Sequence, residues 1–118
     1  MPGVQLPKDL VEKVYEALEL ASKTGKMRRG VNETTKAIER GTAKLVVVAE
    51  DVSPPEILMH LPVVCKEKQV PIASVPSKME LGKASGIKVP TSSVAITEEG
   101  ESKKVLSMVV DRLKTLNK

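Results

Sequence analysis

An apolar run from Lys44 to Ala49 is the feature that most constrains how this chain can fold. Every residue after Lys44 in this run is aliphatic, three of them are valine, and no polar residue alternates with them. A strand with one face in water alternates polar and apolar residues, whereas a strand covered on both faces is continuously apolar. We therefore expect a central strand here, in a sheet that other elements cover on both faces.

Apolar patterns elsewhere in the chain supply the elements that could cover such a sheet. Stripes at intervals of three and four residues predict helices over residues 8–22 and 102–116. Short apolar or basic stretches between turn signals predict further strands at residues 26–29, 70–75 and 94–97, the first of them at an edge of the sheet.

Two capping boxes, in which a serine precedes a glutamate by three positions, mark the starts of further helices at Ser53 and Ser77. We expect the first helix to reach about Lys68, with a kink or break at Pro62, because proline lacks the backbone donor that a helix interior needs. The second helix should end at Gly86.

Helices thus alternate with short strands, which predicts an α/β fold: a three-layer α/β/α sandwich with a central sheet of about four strands. A chain of 118 residues can enclose one apolar core and is too short for two comfortable domains. Residues 1–118 are therefore expected to form a single domain.

Residues 30–41 form the stretch best suited to present a binding surface. Glycines at both ends delimit a short helix, in which Asn32 is a good cap and Gly41 suits the left-handed residue that closes a helix. With about 100° between successive residues, one side of this helix would pack inward: Val31, Thr34, Thr35 and Ile38. The other side carries polar and charged groups within an arc of about 100°: Asn32, Glu33, Lys36 and Arg40.

The positive charge of the chain is concentrated around this helix. The segment from Lys23 to Arg40 contains six basic and two acidic residues, a net charge of +4, which equals the net charge of the whole chain. A basic patch of this kind could bind a polyanion; the alternative interpretation is a charged helix face that is merely solvated. Phosphates repel a carboxylate, so Glu33 within a basic patch is explained best if it accepts hydrogen bonds from the amino groups of bases. Its presence therefore favours nucleic-acid binding over a patch that is merely solvated.

Several classes of function are disfavoured by what the sequence lacks. One cysteine, Cys65, and one histidine, His60, cannot assemble the usual zinc ligand sets or a histidine-based catalytic triad. Cys65 is expected to be buried, and His60 to lie exposed at a helix end. The spacing of residues 82–86 does not fit a phosphate-binding loop. No metal ion or cofactor is therefore expected.

The sequence also bears on location and on the mode of nucleic-acid binding. No apolar stretch approaches the roughly 18 residues that span a membrane, and the N-terminal residues carry no apolar signal region, so we expect a cytoplasmic protein. Tyr15 is the one aromatic residue. Proteins that hold single strands by stacking need several aromatic rings, so this chain would have to bind base edges, shape and phosphates.

Two further segments are candidates for function. Glu50 and Asp51 end the central strand, where α/β proteins often keep ligand groups; a solvated strand end is the alternative interpretation. Residues 86–92 could form a stiff, partly apolar loop tip that covers an unstacked base, although Ile87 and Val89 could equally be core residues.

Several stretches distributed over nearly the whole chain together form a distinctive pattern: Arg28-Arg29-Gly30-Val31-Asn32-Glu33-Thr34-Thr35-Lys36, Lys44 to Val48, Ala49-Glu50-Asp51, His60-Leu61-Pro62 before Cys65, and Ser77-Lys78 with Leu81-Gly82 and Ala84. With this pattern the sequence closely resembles the archaeal ribosomal protein L7Ae family, whose members bind kink-turn RNA and are related to eukaryotic spliceosomal and nucleolar proteins.

The resemblance implies how the residues would be used. Kink-turns are RNA helices sharply bent at tandem sheared guanine-adenine pairs, and the family's motif would place Asn32, Glu33 and Lys36 on those guanines. Gly30 belongs to the same motif. Other residues would approach the RNA backbone or the extruded nucleotide of the loop: Arg28, Arg29 and Arg40, and Ile87, Lys88, Val89 and Pro90 within residues 87–92. The chain has Val89 where some relatives have arginine, and Ser53 where eukaryotic relatives have glutamate.

By resemblance, the protein would catalyse nothing and would nucleate ribonucleoprotein particles. Its implied partners are kink-turns in ribosomal RNA, in box C/D and box H/ACA guide RNAs and in ribonuclease P RNA. Through guide RNA it would also meet the scaffold protein and the methyltransferase fibrillarin. Two alternatives stay open: a small α/β enzyme that uses Glu50 and Asp51, and a protein-interaction module whose basic patch is merely solvated.

Overall fold

The computed structural model describes residues 7–52 and 59–116. The strands in these ranges form one four-stranded sheet in the order β1-β4-β2-β3. No helix in the same ranges is long and apolar enough to cross a bilayer. In chain order the elements are α1 (Lys8–Thr24), β1 (Lys26–Arg29), α2 (Val31–Glu39), β2 (Leu45–Ala49), α3 (His60–Lys68), β3 (Ile72–Val75), α4 (Lys78–Ala84), β4 (Ser93–Glu98), a 3-10 turn (Gly100–Ser102) and α5 (Lys103–Leu116).

Strand β2 is the centre of the sheet, as its apolar run predicts. All five of its residues are buried. It pairs with β3 in parallel and with β4 in antiparallel register, so that Val47 lies between Ala73 and Val94. Among the described residues, strand β1 pairs only with β4, which confirms the expected edge strand.

Helices cover both faces of the sheet and complete the three-layer sandwich. Because side chains alternate across a strand, Val47 joins a core cluster with residues of α1, α4 and α5, while Val46 and Val48 join a second cluster with residues of α2 and α3. Tyr15 packs against the first cluster, and Cys65 is buried in the second, which confirms the burial expected for Cys65. The predicted α/β/α architecture is confirmed.

Helix α3 differs from its prediction. It begins at His60 and runs without a break to Lys68, so the kink or break expected at Pro62 is wrong for the described part of the helix. Pro62 is the third residue of α3, and a proline in the first turn removes a donor that has no intrahelical partner anyway. The capping box that starts at Ser53 lies outside the described residues.

Helix α4 begins and ends where the sequence predicts. Ser77 is its N-terminal cap, with the side-chain oxygen accepting a hydrogen bond from the Glu80 backbone at 3.2 Å. After Ala84 the chain turns through Ser85 to Gly86, whose φ of +81° is left-handed. This turn directs the chain into the loop of residues 86–92.

Candidate nucleic-acid interface

The N-terminus of α2 is built on Gly30 instead of the expected cap, Asn32. Gly30 is the cap residue, with a φ of +93° that a residue with a Cβ rarely adopts, and it has no side chain that could make a capping hydrogen bond. Its amide donates to the Ser93 carbonyl at 2.8 Å, and its carbonyl accepts from the Thr34 amide at 2.9 Å. Asn32 is exposed in the first turn, so its amide group is not consumed by capping.

The two sides of α2 are separated as expected. Asn32, Glu33, Lys36 and Arg40 are all exposed. Thr34 and Ile38 are buried, Val31 and Thr35 are half-buried, and Ala37, which was not predicted to face inward, is buried as well. At the C-terminus Gly41 has the predicted left-handed φ, +75°. The helix therefore presents its polar arc to the surroundings.

A concave surface adjoins the polar arc, where α2 meets strands β1 and β4. It encloses a cavity of about 270 Å³. Three cationic residues line it, Lys26, Arg28 and Arg40, together with Glu33 and Glu98. Lys26 Nζ and Glu98 Oε2 form an exposed ion pair at 3.3 Å. The complete lining is Lys26, Arg28, Glu33, Ala37, Arg40, Thr42, Thr97 and Glu98; we call this surface the basic cavity.

Lys26 is a lining residue that was not predicted to belong to the site. In the sequence it is distinguished only as one of the six basic residues between Lys23 and Arg40. Its position in the basic cavity depends on the antiparallel pairing of Lys26 with Glu98 across β1 and β4. Sequence spacing contains no signal for that pairing, because the two residues lie far apart along the chain.

The loop of residues 86–92 presents a partly apolar tip. Val89 is 60% exposed, Lys88 and Pro90 are also exposed, and Ile87 is half-buried. The loop rests on α4: the Ile87 amide donates to the Gly82 carbonyl at 3.1 Å and the Thr91 amide to the Lys78 carbonyl at 3.2 Å. The sequence left open whether Val89 lies at an exposed loop tip or in the core, and its exposure excludes the core position.

The neighbouring arginines of β1 differ in their surroundings. Arg28 is exposed and lines the basic cavity. Arg29 is half-buried, and its Nε and Nη2 both donate to the Ser85 carbonyl oxygen, the first at 2.8 Å. The alternation of side chains along a strand accounts for this difference. Arg29 is therefore joined to the start of the loop.

The acidic pair at the end of β2 is not arranged as a metal site. Asp51 Oδ1 accepts a hydrogen bond from the Lys78 backbone amide at 2.8 Å, at the first residue of α4. Glu50 is exposed. In residues 7–52 and 59–116, no three histidine, cysteine or acidic side chains are grouped so that they could hold a metal ion. Asp51 thus has a structural role at a helix start.

Comparisons with known proteins agree with the fold and with the resemblance. Residues 12–106 match the family described as "Ribosomal protein L7Ae/L30e/S12e/Gadd45 family". Among solved structures, the chain is similar to one described as "Giardia lamblia 15.5kD RNA binding protein", with 31% sequence identity and a TM-score of 0.90. That similarity covers 95% of this chain and 93% of the other. The chain belongs to the ribosomal protein L7Ae/L30e/S12e/Gadd45 family.

Proposed function

We propose that this chain is an RNA-binding protein that recognises and stabilises kink-turns. The observation that carries the proposal is the placement of the exposed polar arc of α2 beside the basic cavity, with Glu33 lining that cavity. The family match and the name of the structural relative support RNA binding in general. Asn32, Glu33 and Lys36 belong to the motif by which the chain resembles kink-turn binders.

Base recognition is assigned to the first two turns of α2. An exposed asparagine amide can donate to and accept from a base edge, and a carboxylate accepts from guanine or adenine amino groups. A carboxylate within a basic surface has a net repulsive contact with phosphate, so Glu33 gains from RNA only by accepting such hydrogen bonds. Each good base-edge contact is worth roughly 1 to 3 kcal/mol of discrimination.

The RNA backbone is assigned to the basic cavity and to Lys36. Arg28 and Arg40 line the cavity and are exposed, so both can neutralise phosphates without first breaking a buried contact. Gly30 allows the protein chain between β1 and α2 to adopt the conformation that the start of this helix needs. Lys26 adds a third cation, which must exchange its ion pair with Glu98 for a phosphate.

The loop is assigned to the extruded nucleotide. The exposed Val89 side chain, flanked by Ile87 and Pro90, offers an apolar surface that could cover one unstacked base, and Lys88 offers a charge beside it. Because the chain has valine where some relatives have arginine, this contact would be apolar and would depend little on salt.

The mechanism is differential affinity for the bent RNA over its open form, which shifts an equilibrium that exists without protein. The protein itself would catalyse nothing. Its targets would be kink-turns in ribosomal RNA, in box C/D and box H/ACA guide RNAs and in ribonuclease P RNA, in the cytoplasm. In guide particles, the bound RNA would bring the protein together with the scaffold protein and fibrillarin.

The test is a binding titration with a kink-turn RNA and a matched RNA whose guanine-adenine pairs are replaced by Watson-Crick pairs. Glu33→Ala should weaken kink-turn binding by about tenfold or more, since one base-edge contact is lost. Glu39→Ala is the matched control, because Glu39 is an exposed glutamate of the same helix that does not line the basic cavity. It should not weaken binding. Equal affinity of the unaltered protein for both RNAs would overturn the proposal.

A further inference from the structure

Both ends of the loop of residues 86–92 are tied to the two residues that precede α2. At its start, the Arg29 guanidinium donates twice to the Ser85 carbonyl. At its end, the Gly30 amide donates to the Ser93 carbonyl at 2.8 Å. Two consecutive residues of the chain therefore fix the loop relative to α2.

The Ser85 carbonyl is a group that α4 does not satisfy itself. At the end of this helix the Gly86 amide donates to Lys83 and the Ile87 amide to Gly82, each at 3.1 Å. These two bonds close the last turn and satisfy carbonyls within it. The carbonyl of Ser85 lies beyond them, at the cap position, where helix carbonyls need an external donor. Arg29 supplies that donor.

We propose that Arg29 is a positioning residue that holds the loop in its binding geometry, and that it does not act as a phosphate contact. Its fork of two donors is committed to one carbonyl, whereas the exposed Arg28 beside it has no hydrogen bond or ion pair within the described residues. A loop held in place before binding loses less conformational entropy when RNA arrives. The effect on RNA affinity rests on the proposed function, but the effect on the loop does not.

The free protein tests the loop directly by amide hydrogen exchange. Arg29→Met should accelerate exchange at Ile87 and Thr91 by about tenfold, because opening of the loop becomes easier by ~1.4 kcal/mol. Arg28→Met is the matched control; it removes the same charge from the same strand and should leave exchange in the loop unchanged. Loop exchange that is unaltered in Arg29→Met would overturn the inference.

A conservative variant covers the case in which Arg29→Met does not fold, as judged by circular dichroism. Arg29→Lys keeps the charge but replaces the planar fork with a single ammonium group. We expect faster loop exchange than in the unaltered protein. Exchange identical to that of the unaltered protein would mean that the fork is not needed, which contradicts the inference.

Kink-turn titrations at several salt concentrations separate positioning from phosphate binding. Arg28→Met should reduce the slope of log affinity against log salt by roughly 0.7 to 0.9, the contribution of one phosphate contact. Arg29→Met should weaken binding and leave the slope unchanged. In the double variant with Val89→Ala, the two fold-losses of kink-turn affinity should not multiply, since both substitutions act through the loop.

A reduced slope in Arg29→Met, with losses that multiply in the double variant, would show a phosphate contact and overturn the inference. If the unaltered protein does not bind the kink-turn at all, the proposed function fails. The exchange measurements on the free protein then decide about Arg29 on their own.

Discussion

The Cys65 thiol shows how burial alone sets the chemistry of a residue. It is 1% exposed, in the core cluster between the sheet and helices α2 and α3. Because the buried thiolate would lose its hydration, burial raises the pKa of Cys65 to about 12 from an ordinary value of 9.0. This raised pKa suppresses the thiolate at neutral pH, and the thiolate is the form that reacts.

We predict that native Cys65 resists alkylation at pH 8. The raised pKa reduces the thiolate population by about a thousandfold relative to an ordinary thiol, and burial further limits access. The rate of reaction with iodoacetamide should therefore be slow in buffer and ordinary in guanidinium chloride. Rapid alkylation in buffer, with the circular dichroism spectrum unchanged, would contradict the prediction.

The same pKa shift has a definite sign for stability. A group whose pKa is raised on folding holds its proton more tightly in the native state. The contribution of Cys65 to the free energy of unfolding is thus fully present below a pH of about 9.0, and it decreases as the pH rises toward about 12.

Single residues also mark the limit of what the sequence could predict. Asn32 has the chemistry of a cap, but the left-handed Gly30 starts the helix two residues earlier. Composition alone does not distinguish Arg28 from Arg29. Their different surroundings depend on the Ser85 carbonyl that binds Arg29, which lies 56 positions from Arg29 along the chain. Such contacts between distant residues form only on folding, and no local sequence pattern predicts them.

At the scale of elements, α4 and the loop that follows it form a unit because of Gly82. A Cβ built on Gly82 would lie 2.1 Å from the Val89 carbonyl oxygen, a backbone atom that cannot move without moving the loop. Gly82 is buried in the helix interior. The close approach of the loop therefore depends on a residue without a side chain.

We predict that Gly82→Ala destabilises the protein, although glycine to alanine in a helix interior normally stabilises by about 1 kcal/mol. The clash with Val89 outweighs helix propensity and displaces the loop. Urea unfolding measures the free energy of unfolding, which should be lower in Gly82→Ala. The affinity for RNA should also be lower, because the loop is displaced. Met79→Ala, at a half-exposed position of the same helix, is the control without such a clash. An increase in stability for Gly82→Ala would contradict the prediction.

Element boundaries were mostly predictable, because they depend on local chemistry. Ser77 and Gly86 delimit α4 through capping and a left-handed turn, and the apolar run after Lys44 marks the central strand. The order of strands was not predictable in the same way. Placing β4 between β1 and β2 depends on side chains that meet only in the sheet, such as Met27 and Ile96.

At the scale of the whole molecule, the three layers separate surfaces of different character. Helix α2 and the basic cavity lie on one side of the sheet, while α5 packs with α1 in the core cluster on the other. The molecule measures 33 × 33 × 30 Å. The Debye length is about 8 Å at physiological ionic strength, so a charge that does not contact bound RNA is largely screened from it.

This separation leads to a prediction about where positive charge matters for RNA binding. Arg28→Ala with Arg40→Ala removes two cations from the basic cavity, and Lys103→Ala with Lys104→Ala removes two exposed cations from the start of α5. Each pair lowers the net charge of +4 by two. If phosphates contact the basic cavity, the first pair should reduce the slope of log affinity against log salt by roughly 0.7 to 0.9 for each contact.

The second pair should leave that slope unchanged at physiological salt, because neither Lys103 nor Lys104 lines the basic cavity and salt screens charges that no phosphate contacts. Kink-turn titrations of both double variants over the same range of salt provide the comparison. Equal reductions of the slope would mean that RNA responds to the total charge of the molecule, and the basic cavity would then have no special part in binding. A reduction confined to the first pair would place the RNA backbone at that cavity, since both variants carry the same net charge.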